Sequence, residues 1–220
     1  YCAQNDGSAK YAQVTFAESV DWLISFDSIP SDLCSGVLIV PIQVGSSGGI
    51  VVGGAASNRQ LSFTDGSGGY IKAATLLNVG QKYNFAVKLI SGVYTLYVDN
   101  EKQSTTGSAL TRSISTFTVG MLCGDYFMRG KIFNLRVYTG PKAETLSGYY
   151  PMQGSLLDIS GNNHHLENHG LTFGTQDHFH YNLLNGFDKY KNNSDATKYI
   201  SVPYVNGAPV VASVTGHTKV

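Results

Sequence analysis

Charge is scarce in this sequence. Only 14% of its 220 residues are Asp, Glu, Lys or Arg, and 15 basic residues balance 15 acidic ones. The charges are spread along the chain, so there is no basic stripe of the kind that holds nucleic acid or an anionic membrane surface, and neither partner is expected. Long apolar runs are missing too. The longest, Val37 to Val44, is interrupted by Pro41 and Gln43 and falls well short of the ~20 residues that cross a bilayer, so no membrane insertion is expected. Cysteine is limited to Cys2, Cys34 and Cys123. None are closely spaced, and their odd number leaves at least one without an intramolecular disulfide partner. A Cys34–Cys123 bridge stands beside the favoured reading of buried thiols. The Gly-rich stretches GSSGGIVVGG and DGSGG lack the Lys-Ser/Thr ending of a phosphate loop and open no helix, so they are expected to be hairpin tips. The chain begins at Tyr1, shows no signal peptide, and is expected to be a processed product or a piece of something longer.

Gly (25) and Tyr (14) are plentiful, together with Ser and Thr, which suits many strands joined by many turns. From Gln13 to Thr139 short apolar or alternating runs are broken by Gly, Ser, Asn and Asp, with almost no helical periodicity. Strands are expected at Gln13–Phe16, Val20–Phe26, Val37–Val44, Ile50–Val52, Gln60–Thr64, Tyr70–Leu76, Tyr83–Ile90, Val93–Asp99, Ser115–Leu122 and Arg129–Tyr138. Tyr83, Phe85, Val87 and Leu89 share one strand face, and so do Tyr94, Leu96 and Val98. Ser91-Gly92 joins the two runs as a tight hairpin, and Asp99-Asn100-Glu101 makes a second turn. Near the end of this region Phe133, Leu135 and Val137 are expected to face the core, with Ile132, Asn134, Arg136 and Tyr138 on the other side.

The stretch YNFAVKLISGVYTLYVDNEKQ, followed by FTVGMLCGDYFMRGKIFNLRVYTG, resembles the C-terminal half of laminin-G-like, concanavalin-like jelly rolls. Leu96, Tyr97, Val98 and Asp99 fill one family pattern. Gly130, Ile132, Leu135, Arg136, Val137 and Tyr138 fill the closing-strand pattern. The resemblance implies an all-β, antiparallel two-sheet jelly-roll sandwich over residues 1–141. Residues 142–220 are then an accessory or incomplete second module, rich in His, Asn and Tyr, within which Gln176 to Asp195 has too few aliphatics to build a core of its own. The run Asp158-x-Ser160-Gly161-Asn162 resembles an element usually found near the start of such a domain.

What this implies about function is a non-catalytic recognition module on an extracellular or virion surface, of the kind carried by phage tail or fibre proteins and bacterial surface proteins. Its partner would be a glycan or a cell-surface protein. A structural or assembly role is the alternative, with residues 149–220 docking to other copies or to virion proteins. The fold also hosts glycoside hydrolases, which need two or three carboxylates on one strand face. Glu18 and Asp21 are three apart and so fall on opposite faces, whereas Asp99 and Glu101 lie at a turn, so no enzyme activity is expected. Sugar binding requires an exposed aromatic to stack on a pyranose, with polar side chains for the hydroxyls. Tyr70, Tyr97, Tyr126 and Tyr138, with Asp125, are the candidates, and Tyr149 and Tyr150 stand beside them. Tyr97 and Tyr138 fall on faces opposite the expected core, whereas Trp22 is assigned to the core. Calcium is the common ion of these families, and Asp65, Asp125 and Asp158 are the loop acids available to it, although each also suits an ordinary Asp-Gly or Asp-Ser turn. His178-x-His180, with a third imidazole from His164, His165 or His169, has the makings of a zinc or nickel site, and hydrogen-bonding loop histidines are the favoured reading.

Overall fold

A computed structural model describes residues 11–30, 42–52, 59–78, 80–122, 126–127, 130–152, 155–171, 187–194, 199–205, 208–209 and 213–219. Its strands are β1 (Tyr11–Ser19), β2 (Trp22–Pro30), β3 (Ile42–Val44), β4 (Gly48–Val52), β5 (Leu61–Thr64), β6 (Tyr70–Ala73) and β7 (Tyr83–Ile90). There follow β8 (Val93–Val98), β9 (Glu101–Lys102), β10 (Thr105–Ser108), β11 (Ile114–Val119), β12 (Met121–Leu122), β13 (Tyr126–Phe127) and β14 (Gly130–Thr139). After a 3-10 turn at Pro141–Ala143 come β15 (Thr145–Tyr150), β16 (Glu167–His169), β17 (Phe187–Asn192), β18 (Tyr199–Val205), β19 (Ala208–Pro209) and β20 (His217–Lys219).

Two antiparallel sheets face each other. One has the order β10-β6-β5-β4-β3-β11-β1-β16 and the other β15-β14-β2-β7-β8-β9. Period-two alternation builds the space between them, most clearly in β7, where every second residue from Tyr83 to Leu89 is buried and its neighbours are half-buried. Trp22, Phe26, Phe63, Phe85 and Phe117 are fully buried there, each contributing on the order of 2–3 kcal/mol by leaving water. This is the all-β sandwich expected of the sequence. The Ser91-Gly92 hairpin forms with both residues at positive φ (48° and 78°), as a two-residue turn matched to strand twist requires. Asp99 and Asn100 repeat the device at φ 51° and 65°.

Two expectations change. The sandwich does not end at 141: β15 pairs with β14 and β16 pairs with β1, so the segment after 141 adds a strand to each sheet. Tyr150, Met152, Leu166 and Leu171 also enter the common core, because an edge strand buries its apolar face best against a core already present. The second change lies within β14. Phe133 pairs with Asp27 and Arg136 with Ser25, so two residues of β14 stand opposite Phe26 alone, and Asn134 takes φ 50°. This bulge shifts the alternation by one residue. Ile132 is therefore fully buried, and Phe133 is half-buried on the outer face. Met121–Leu122 and Tyr126–Phe127 form a two-stranded ribbon, and β19-β18-β17-β20 form a further sheet from residues beyond 187.

Candidate functional site

The outer face of the six-stranded sheet is an ordered lattice, because directly paired residues of antiparallel strands project to the same side. One row crosses the sheet from Tyr149 through Arg136, Ser25, Ala86 and Tyr97 to Lys102. The next runs Tyr138, Leu23, Lys88, Thr95, and a third runs Phe133, Asp27, Asn84. Small side chains sit mid-sheet, at Ser25 and Ala86, with tyrosines to either side. The result is a groove of about 400 Å³ lined by Leu23, Ser25, Asn84, Ala86, Tyr97, Asn100, Tyr138 and Ala143. Tyr97 and Tyr138, placed by their alternation opposite the core, are brought together here. The remaining lining residues escaped the sequence reading, although two small residues on the outward positions of neighbouring strands were the available signal.

A polar network organises one end of the groove. Asp27 Oδ1 accepts a hydrogen bond from Asn84 Nδ2 at 2.9 Å, and its Oδ2 receives Asn134 Nδ2 and Lys82 Nζ, each at 2.9 Å. The bulge at Asn134 turns that amide towards Asp27. Burial pushes the Asp27 carboxyl up, but the bonds from Asn84, Lys82 and Asn134 outweigh it and leave the group below its usual value. Beside the groove the Arg136 guanidinium stacks on Tyr149, 4.2 Å from the ring centroid.

The other residues singled out from sequence are elsewhere. Tyr70, 45% exposed, lies on the opposite sheet with Lys72 over its ring at 5.7 Å. Tyr150 is fully buried, and its hydroxyl donates to His164 O at 2.7 Å. Trp22 is in the core. Tyr126 lies in β13, and its side chain, with Asp125, His178 and His180, falls outside the described residues.

The loop acids hold turns. Asp65 Oδ1 accepts from Ser67 N (2.7 Å) and Gly69 N (3.0 Å), and Oδ2 from Leu110 N (2.8 Å). The bond from Leu110, then that from Ser67, holds the Asp65 carboxyl below its ordinary value. Asp158, 2% exposed, accepts Tyr149 N and Ser160 N on Oδ1 and His164 N on Oδ2. In both cases the oxygens face amide hydrogens, the wrong electrostatic surroundings for a cation. Among the described residues no group of three or more His, Cys, Asp or Glu is placed to hold a metal. His164 Nδ1 lies 2.7 Å from Ser147 O, which can only accept, so the proton is on Nδ1. His165 Nδ1 instead accepts from Asp158 N at 3.0 Å, and His169 stacks on Tyr11 at 4.4 Å. Of the acids weighed for hydrolysis, Glu18 accepts from Ser113 Oγ, Asp21 from Ser91 N and Lys142 N, and Asp99 from Asn84 N.

The depressed carboxyls predict an acid-labile fold. Asp27 and Asp65 ionise more readily folded than unfolded, so as pH falls the unfolded chain takes up protons first. Their stabilisation is complete above the unfolded value of about 4 and is lost as pH drops through the lower folded values. The melting temperature is expected to fall as pH drops below about 4, and Asp65→Asn to flatten that slope. A pH-independent melt over this range contradicts the assignment.

No protein-family model matches this chain, and neither does any curated protein. Solved structures do. A candidate carbohydrate-binding protein from Bacteroides ovatus aligns with TM-score 0.58 and 16% identity, over 75% of this chain and 57% of that one. A heptameric SAP-like pentraxin from Limulus polyphemus aligns with TM-score 0.48 and 12% identity, over 66% and 77% of the two chains. A homodimeric agglutinin from chicken liver gives TM-score 0.39 and 13% identity, over 58% and 98%. The chain spans little more than half of the Bacteroides protein, and the likeness at that identity is one of fold. The molecule is thus an antiparallel two-sheet β-sandwich whose six-stranded sheet carries a tyrosine-walled groove on its outer face.

Proposed function

We propose that this chain is a glycan-binding module and that the groove of Tyr97 and Tyr138 is its binding site. The observation that carries the reading is the pairing of two half-buried tyrosines across a floor of small residues, with the Asn84 and Asn100 amides at one end. Pyranose rings present apolar C–H faces to aromatics and hydroxyls to amides, and this surface offers both. Sharing a fold with a candidate carbohydrate-binding protein is consistent with it. The role is binding without chemistry. Asp27, the carboxylate at the groove's end, is held ionised by its three donors, the reverse of what the proton donor of a glycosidase needs. We assign it with this to a cell exterior or virion surface, where glycans are displayed. An assembly role for residues 149–220 is the weaker reading, because the stretch from Tyr149 to Leu171 supplies core residues and strands to the sandwich itself.

The test is a glycan array probed with the whole chain and with Tyr97→Ala and Tyr138→Ala. Specific spots are expected for the parent, weakened at least about tenfold by either substitution through loss of ring stacking. Silence of the parent across a broad array sinks the proposal, as does binding indifferent to both tyrosines.

A further inference from the structure

The two rows that cross the groove carry a net positive charge even though the chain as a whole is neutral. Arg136 pairs with the lining residue Ser25, Lys102 with Tyr97, and Lys88 with Leu23. Each cation therefore stands one strand away from the groove lining, about 5 Å at the Cβ level, and projects to the same side of the sheet. Arg136 also follows two residues before Tyr138, and Lys88 two after Ala86, along one strand face. Among the described residues none of the three has a carboxylate partner. The Arg136 guanidinium stacks on the Tyr149 ring and spends one in-plane N–H on the Asn134 carbonyl at 3.4 Å, which leaves further in-plane donors for a ligand.

Glu101, beside Lys102, pairs with Val98 and so projects to the other side of the sheet, and two further acids nearby are committed. Asp27 is closed by Asn84, Asn134 and Lys82, and Asp99 accepts from Asn84 N at 2.8 Å. Lys142 and Glu144 flank the lining residue Ala143 and offset one another. The two rows that form the groove floor thus carry three cations and no acid. A tyrosine-walled trough beside unpaired lysines and an arginine fits a sugar chain that bears its own negative charge, because charge-assisted bonds to carboxylate or sulfate are stronger than those to hydroxyls.

We infer that the groove selects anionic glycans, chains carrying carboxylate or sulfate groups, through Lys88, Lys102 and Arg136. This rests on the glycan reading of the same groove and goes further by naming the class of sugar. The experiment uses the full chain against immobilised polygalacturonate, alginate and chondroitin sulfate. Each is paired with the neutral polymer made from it by carboxyl reduction, with desulfation for the last. The expected result is binding at least about tenfold tighter to the acidic member of at least one pair. That gap should collapse in 1 M salt, where screening reaches to about 3 Å. It should also collapse in Lys88→Gln/Arg136→Gln, a double substitution of outer-face residues whose folding is checked by its melting curve. Chondroitin sulfate that is only desulfated, against the same polymer only carboxyl-reduced, tells sulfate from carboxylate. Equal or tighter binding of the neutral members overturns the inference and leaves the groove a glycan site. Acidic binding undiminished in the double variant also overturns it. Silence on both members of every pair overturns it together with the glycan reading.

Discussion

Trp22→Ala is expected to lower the stability of the fold by about 5 kcal/mol, the upper range for deleting a large buried aromatic, and the melting temperature by roughly 10–20 °C. Trp22 is fully buried, with its ring centroid 5.8 Å from that of Phe63 and 6.1 Å from Tyr94. Its indole N–H also donates to Arg112 O at 2.7 Å. That carbonyl belongs to a segment pinned from several sides. The Tyr94 hydroxyl accepts from Arg112 N and donates to Leu110 O, Leu110 N donates to Asp65, and the Arg112 side chain reaches Asp65 O and Ser67 Oγ. Burial raises the Tyr94 hydroxyl to about 12, so it keeps its proton and both roles at any ordinary pH. Trp22→Phe retains most of the ring volume and loses the indole bond, so about 2 kcal/mol is expected. Circular dichroism melts of the two variants separate packing from hydrogen bonding. A Trp22→Ala protein melting within a few degrees of the parent contradicts this placement of the ring.

Asp158→Ala is the second large effect, at about 4 kcal/mol, because three amide donors around a buried carboxylate lose their acceptor together. These are Tyr149 N in β15, Ser160 N in the turn, and His164 N on the way to β16. The turn is tied from outside as well, by Asn162 Nδ2 to Leu146 O and by Asp158 N to His165 Nδ1. The carboxylate therefore joins β15, at the edge of one sheet, to the segment that leads into β16 at the edge of the other. Asp158→Asn keeps one oxygen but turns an NH2 group towards amide hydrogens, so about half the loss is expected. Added calcium should leave the melting temperature of the parent unchanged if this acid acts only as a turn clamp, since a ligand held by the folded state alone raises it. An Asp158→Ala protein as stable as the parent, or a calcium-dependent rise abolished by the substitution, defeats the clamp.

Much of the sandwich was legible because period-two alternation is a local signal. Tyr83 to Ile90 and Val93 to Val98 declare their buried faces in the sequence, and the small turns between them declare their geometry through Ser91-Gly92 and Asp99-Asn100. The bulge in β14 was not legible. Its hydrophobic pattern reads equally well with Phe133 or Ile132 inward, and only the pairing with β2 on one side and β15 on the other chooses between them. Nor was the fate of residues 145–171. Its scattered leucines, such as Leu146, Leu166 and Leu171, name no partner by themselves, and strand edges and a core already exist for the segment to join.

The groove divides in the same way. That Tyr97 and Tyr138 face away from the core follows from their place in an alternating strand, which is a property of the sequence by itself. That they flank a common floor, with Ser25 and Ala86 between them and Arg136, Lys88 and Lys102 around it, depends on strand order. β14, β2, β7 and β8 are neighbours in the sheet although β14 and β2 are about a hundred residues apart in the chain. The sequence determined the fold class, the turns and the outward direction of each tyrosine, because those are set by residues a few positions apart. Only the tertiary structure decided which outward residues meet, because pairing register between distant strands is settled by the burial of the whole core and not by any local preference.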